Sequence, residues 1–100
     1  MTDLAELWRT HQHAAFPGSC LPLAVDGVKL VKLDAAAGAL LTASLRTDGI
    51  PRRLDDSKRR DLERSREAIL KALRELPLDA EGKAYFERLA ALSAQVLQSG

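Results

Sequence analysis

The chain has 100 residues, of which 46% are hydrophobic and 29% charged, and its formal net charge is +1. This balance excludes a disordered polar chain and gives no overall attraction to nucleic acid or anionic lipid. The sequence has no apolar run of the length that a secretory signal or a membrane span requires, and its single cysteine, Cys20, allows no disulfide within the chain. We therefore expect one cytoplasmic domain over residues 1–100, with an aliphatic core and no membrane partner.

A first helix is predicted over residues 3–15. Thr2 or Asp3 can cap this helix, because either side-chain oxygen can accept a hydrogen bond from a free amide of the first turn. Pro17 and Gly18 end it. Residues at helical spacing form one face, which we expect to be buried. This face consists of Leu4, Leu7, Trp8, His11 and Ala15.

The segment over residues 16–33 is predicted to cross one side of the domain. Proline, glycine and Asp-Gly punctuate it as far as Gly27, which indicates a loop, and its apolar residues indicate that the loop lies against the core. Residues 28–33 are ambiguous, because Lys29 and Lys32 are three apart and break the alternation of a strand, whereas a helical turn keeps one apolar face. We favour a short extended or 3₁₀ segment here.

A second helix is predicted over residues 34–46, because Asp34 followed by three alanines resembles an N-cap and a first turn. Its apolar face continues from the preceding segment. The face comprises Leu30, Leu33, Ala37, Leu40 or Leu41, and Ser44 or Leu45. Gly38 within a helix costs about 1 kcal/mol relative to alanine. A glycine at this position could let another helix approach closely, which would be a packing role.

Residues 54–97 are predicted to form a hairpin of two amphipathic helices, over residues 55–76 and 80–97. Asp55 or Asp56 caps the first helix and Asp79 caps the second. Pro77 forms the corner between them, because it lacks an amide hydrogen and disfavours helical angles at the preceding residue. The apolar stripes consist of Leu62, Ile69, Ala72, Leu73 and Leu76 in the first arm, and of Tyr85, Phe86, Leu89, Leu92, Val96 and Leu97 in the second.

These elements together predict an all-α domain. The fold class is an irregular four-helix bundle with a C-terminal antiparallel helical hairpin and a short extended or 3₁₀ crossover segment. Each apolar stripe either faces a private core or, where neighbouring helices leave it uncovered, forms a dimer interface.

The only cluster of metal-type ligands is His11, His13 and Cys20. On a continuous helix, His11 and His13 point about 200° apart and cannot bind one ion together. A thiol–imidazole pair with Cys20 lacks an orienting third group. We therefore expect a half-buried His11 beside Trp8, a solvated His13 and an inert thiol. The sequence assigns no catalytic residue, no cofactor-binding residue and no metal ligand.

Nine of the fifteen basic residues lie within residues 52–75, where six acidic residues are interleaved with them. A surface formed by Arg52, Arg53, Arg59, Arg60 and Arg64 is a candidate contact for phosphates. Interleaved charges are, however, typical of a solvated helix face, and no aromatic residues alternate with the arginines to stack on bases.

Amphipathic helices without a catalytic constellation favour a non-enzymatic interaction or regulatory protein, which acts through an exposed helical face on a protein partner or a second copy of itself. The alternatives are a nucleic-acid-binding module that uses residues 52–64 and a metal- or thiol-dependent enzyme.

Four short motifs carry a resemblance to known proteins: residues 14–17 (AAFP), 25–28 (VDGV), 33–35 (LDA) and 85–89 (YFERL). In these motifs the chain is similar to a group of small, uncharacterised bacterial proteins of about this length. The resemblance covers most of the chain. It implies no activity, cofactor or functional residue.

Overall fold

The computed structural model describes residues 3–46 and 50–98, and most of them lie in four α-helices. The helices are α1 (Leu4–His13), α2 (Leu30–Leu45), α3 (Asp56–Glu75) and α4 (Ala80–Gln98). A 3₁₀ turn (Gly18–Cys20) and an antiparallel hairpin of β1 (Ala24–Val25) and β2 (Val28–Lys29) connect α1 to α2. Helix α4 packs against each of the other three helices. The predicted all-α bundle is therefore confirmed.

The C-terminal helical hairpin has the predicted corner. Leu76 is extended, with ψ of 148°, and Pro77 follows it. The predicted caps are also present: the amide of Lys58 donates to Asp55 at 2.8 Å, and the amide of Gly82 donates to Asp79 at 2.7 Å. Helices α3 and α4 pack closely against each other.

The core is formed by the predicted helical faces. Leu62, Ile69 and Ala72 are buried on α3, and Leu73 and Leu76 are packed against them with partial exposure. Helix α4 contributes the largest group of buried apolar side chains. This group comprises Tyr85, Phe86, Leu89, Ala90, Leu92 and Val96, with Leu97 partly buried beside it. Because α4 carries so many core residues, it forms the centre of the bundle.

Helix α2 begins at Leu30, so its predicted start at Asp34 is wrong by four residues. Lys29 is the N-cap, and it is also the last residue of β2. The amide of Leu30, the first residue of α2, donates to the carbonyl of Leu23, the residue before β1, at 2.9 Å. The predicted apolar face is confirmed, since its members are buried. They are Leu30, Leu33, Ala37, Leu41, Ser44 and Leu45.

The packing role suggested for Gly38 is not found among the described residues. A Cβ atom at Gly38 would have no heavy atom of the described residues within 4 Å. The close approach occurs instead at Gly82 on α4, where a Cβ would lie 2.9 Å from Cys20 Sγ. The absence of a side chain at Gly82 lets the 3₁₀ turn pack against the first turn of α4.

Helix α1 ends at His13, two residues before its predicted end, and the predicted face member Ala15 is exposed. Asp3 is the N-cap residue, but its side chain makes no capping hydrogen bond; the alternative cap, Thr2, lies outside the described residues. Trp8 is buried, and its indole N–H donates to the carbonyl of Arg46 at 2.7 Å. This bond ties α1 to the C-terminal end of α2.

The segment predicted as a loop contains the β-hairpin. Asp26 and Gly27 have φ values of 51° and 80°, which a two-residue hairpin turn of the I′ type requires. The segment lies against the core as expected, through Phe16, Leu23 and the buried Val25, but Leu21 is 55% exposed. Among the described residues, none of the helices combines the length and apolar character needed to cross a membrane.

Candidate functional site

The three residues considered as a metal or thiol cluster, His11, His13 and Cys20, occupy different surroundings. His11 is buried, His13 is exposed and Cys20 is fully buried behind Gly82. Burial raises the pKa of the Cys20 thiol, which disfavours the nucleophilic thiolate. Within residues 3–46 and 50–98, no three His, Cys, Asp or Glu side chains are grouped so that they could hold a metal ion.

His11 belongs to a different polar group, in the interior where α1 meets α4. Arg88 Nε donates to His11 Nδ1 at 3.1 Å, and the imidazole lies against the ring of Tyr85, with 4.7 Å between ring centroids. Burial, and secondarily the positive charge of Arg88, lower the pKa of His11 to about 4. His11 is therefore neutral at pH 7, and its unprotonated Nδ1 accepts the hydrogen bond that Arg88 donates.

Tyr85 connects this group to α2. Its hydroxyl donates to Asp34 Oδ1 at 2.8 Å, and Arg88 lies over its ring at 5.7 Å. Burial, together with the hydrogen bond to Asp34, raises the pKa of Tyr85. Burial also raises the pKa of Asp34, and the bond from Tyr85 partly offsets this effect. His11, Asp34, Tyr85 and Arg88, named here the interior cluster, hold α1, α2 and α4 together.

The five arginines of the candidate basic surface differ in exposure and in hydrogen bonding. Arg52 Nη1 donates to the carbonyl of Ile50 at 3.1 Å, and the backbone of Arg52 bonds to Ser44. The guanidinium of Arg59 donates to the carbonyl of Leu97 at the end of α4. Arg53, Arg60 and Arg64 are exposed. Arg52 and Arg59 thus make intramolecular hydrogen bonds and are partly buried, whereas the other three arginines are exposed.

A shallow groove of about 460 Å³ runs along α3. Six of its lining residues repeat along one side of α3, and the seventh comes from the turn of the β-hairpin. The lining consists of Asp26, Arg64, Glu67, Ala68, Leu70, Lys71 and Arg74. None of the interior cluster lines this groove. We call it the α3 groove.

The charges of the α3 groove remain exposed to solvent. Lys71 Nζ lies 2.7 Å from Asp26 Oδ1 and 4.0 Å from Glu75 Oε2, and the hydrogen bond to Asp26 raises the pKa of Lys71. Arg64 lies 3.4 Å from Asp61, with 74% of its side chain exposed. Three cations and two acids line the groove, so its charge is positive by one. Exposed pairs of this kind are weak and exchange readily with solvent or a ligand.

Sequence reasoning assigned the charged residues of α3 to a solvated face and did not place Asp26 beside them. Lys71 and Asp26 are 45 positions apart, and helical periodicity carries no information about such a pair. The signal that would have helped is Asp26-Gly27 between two valines, which is a strong hairpin pattern and would have placed Asp26 at an exposed tip.

No protein-family model, curated protein sequence or solved structure matches the chain. The resemblance to small bacterial proteins therefore stays a prediction.

Proposed function

We propose that the protein is a non-enzymatic, cytoplasmic interaction or regulatory module that binds a protein partner through the α3 groove. The observation that supports this function is the groove itself, where exposed arginine and lysine side chains surround the apolar Ala68 and Leu70. Arginine beside apolar contact area is a common composition for protein interfaces.

The placement of the other polar groups supports the same proposal. The side chains with strongly shifted pKa values, His11 and Tyr85, are buried and bonded to Arg88 and Asp34 rather than directed into the α3 groove. A catalytic site usually combines a concave surface with perturbed ionisable groups. Here the interior cluster and the groove are separate, which favours binding over catalysis.

Site-directed photo-cross-linking tests the proposal. A benzophenone amino acid replaces Glu67 in the groove or, as the matched control, the exposed Glu87 on α4; both changes remove one carboxylate from a helix surface. In cells that produce the protein, we expect a discrete protein adduct from the Glu67 position and none from the Glu87 position. Equal adducts from both positions, or none from either, would contradict the proposed function.

Light scattering of the purified chain separates the two kinds of partner. A dimer whose adduct at the Glu67 position has twice the monomer mass identifies a second copy as the partner. A monomer with a heterologous adduct identifies another protein. Either result agrees with the proposal, and homodimerisation stays a prediction until this measurement is made.

A further inference from the structure

We infer that the α3 groove recognises an acidic, amphipathic segment of the partner, and that Asp26 occupies the position of one ligand carboxylate on Lys71 while the groove is free. This inference rests on the proposed function and names the chemistry of the bound segment. It is carried by the spacing of the groove cations, the apolar residues between them and the ion pair that already occupies one cation.

The cations of the groove are arranged along the axis of α3. Arg64, Lys71 and Arg74 lie seven and three residues apart, so the outer two are separated by about 15 Å along the helix. A segment of four or five extended residues, or about three turns of a helix, covers this distance. Carboxylates on such a segment can reach two or three of the cations together.

Ala68 and Leu70 supply apolar contact area between the charges. Both are partly buried and pack against the core, so a ligand side chain can cover their remaining exposed surface. The segment that fits this lining alternates acidic and aliphatic side chains. A purely acidic chain would leave the apolar area uncovered.

The pair between Lys71 and Asp26 already has the geometry of the proposed contact. Nζ and Oδ1 are 2.7 Å apart, yet the side chain of Asp26 is 65% exposed and that of Lys71 is 37% exposed. An exposed ion pair contributes little net stability, so an incoming carboxylate can replace Asp26 at small cost. Asp26 therefore acts as an internal competitor for the ligand.

The acids of the groove argue against a nucleic-acid ligand. Asp26 and Glu67 lie among the cations, and a phosphate backbone with closely spaced charges cannot avoid them. A peptide can place its few carboxylates opposite the cations and its neutral residues opposite Glu67. The interleaved signs thus favour a peptide over a polyanion.

Fluorescence anisotropy with defined probes tests the inference. The first probe is a labelled 15-residue peptide of alternating glutamate and leucine pairs; the second has lysine in place of every glutamate; the third is a 15-residue oligothymidylate. We expect the acidic peptide to bind, with weaker affinity at higher salt, and the lysine peptide not to bind. Equal binding of both peptides, or tighter binding of the oligothymidylate, would overturn the inference.

Two substitutions locate the contact. Arg74→Gln removes a groove cation and should lower the affinity for the acidic peptide by about fivefold. The matched change Arg9→Gln, at an exposed position on α1, should leave this affinity unchanged. Asp26→Asn keeps a residue that tolerates positive φ but removes the competing carboxylate, so we expect affinity to rise by about threefold. An Asp26→Asn protein with unchanged or weaker affinity would remove the role of internal competitor.

The outcomes separate this inference from the proposed function. Selective cross-linking at the Glu67 position without binding of the acidic peptide would retain the interaction surface and reject the acidic ligand. Loss of both signals would reject the interaction surface as well.

Discussion

The interior cluster and the α3 groove both contain aspartate and arginine side chains, yet their surroundings give these side chains different roles. In the cluster, Asp34 and Arg88 are partly withdrawn from water and bonded to Tyr85 and His11. In the groove, ion pairs such as that of Lys71 lie at the surface. Because the groups of the interior cluster are partly removed from water, losing one hydrogen-bond partner leaves a polar group unsatisfied and lowers the free energy of unfolding. Solvation leaves the groove charges available to a ligand.

Among the substitutions that test this difference between the two regions, Tyr85→Ala is expected to cause the largest loss of stability. Tyr85 is only 7% exposed and contacts His11, Phe16 and Phe86 through its ring. Its removal leaves a cavity and takes away the contacts of the interior cluster with Asp34 and with the His11 ring. We therefore expect the free energy of unfolding to fall by about 3–5 kcal/mol. Urea denaturation followed by circular dichroism measures the change. Glu87→Ala, an exposed control on the same helix, should alter stability by less than about 0.5 kcal/mol.

The second effect is a loss of stability in acid. The pKa of His11 is about 4 in the folded protein and near 6.5 when unfolded, so between these values the unfolded state binds a proton that the folded state does not. The free energy of unfolding should therefore fall by about 3 kcal/mol as the pH is lowered from 6.5 to 4. The raised pKa of Asp34 has the opposite effect on stability. At pH values above the ordinary pKa of an aspartate, the folded state binds more protons at this carboxyl than the unfolded state does, so lowering the pH there favours folding.

A pair of variants isolates the contribution of His11 from that of Asp34. Urea denaturation at several pH values between 7 and 4 should show a shallower pH dependence for His11→Gln than for the wild type. His13→Gln, the same change at an exposed position, should keep the wild-type dependence. If His11→Gln and the wild type had the same slope, His11 would not be the titrating group.

A smaller effect is expected from Tyr85→Phe, which retains the ring but removes the donor to Asp34. The carboxylate then loses a partner at 2.8 Å, and we expect destabilisation by about 1–2 kcal/mol at pH 7. The pKa of Asp34 should also rise further, because the hydrogen bond from Tyr85 lowers it. Denaturation and a carboxyl ¹³C titration measure the two changes. Additive losses in the double variant Tyr85→Phe/Asp34→Asn would show that the two groups are not coupled.

The smallest effect is expected in the groove. Lys71→Gln removes the exposed pair with Asp26 and should change the free energy of unfolding by no more than about 0.5 kcal/mol. A loss of 2 kcal/mol in urea denaturation would instead make the groove a structural element like the interior cluster, and the comparison between the two regions would fail.

Much of the fold was predictable because local chemistry decides it. Pro77 ends α3 by its own covalent geometry, and Asp55 and Asp79 cap helices through bonds to amides three residues away. The start of α2 was not predictable from Asp34, because a hairpin positions Lys29 as the N-cap. The interpretation of Gly38 failed for a related reason: the sequence identifies a glycine but not which helix face has a neighbour.

The candidate site was the less predictable part. The sequence placed Arg64, Lys71 and Arg74 on a charged helix, but not Asp26 in the same groove. It also suggested that His11 is half-buried beside Trp8, without Arg88 as its partner. These are contacts between side chains on separate elements, and no local rule relates them.

The buried helix faces and the corner at Pro77 follow from the amino-acid order, because residues three or four apart on a helix share a side and proline constrains its own backbone. The three polar pairings were decided only by the packed chain: His11 with Arg88, 77 positions apart; Asp34 with Tyr85, 51 apart; and Asp26 with Lys71, 45 apart. The packing of the helices and the hairpin decides which of these pairs is exposed to water and which is in the interior. It thereby separates the residues that stabilise the fold from those that a partner can reach.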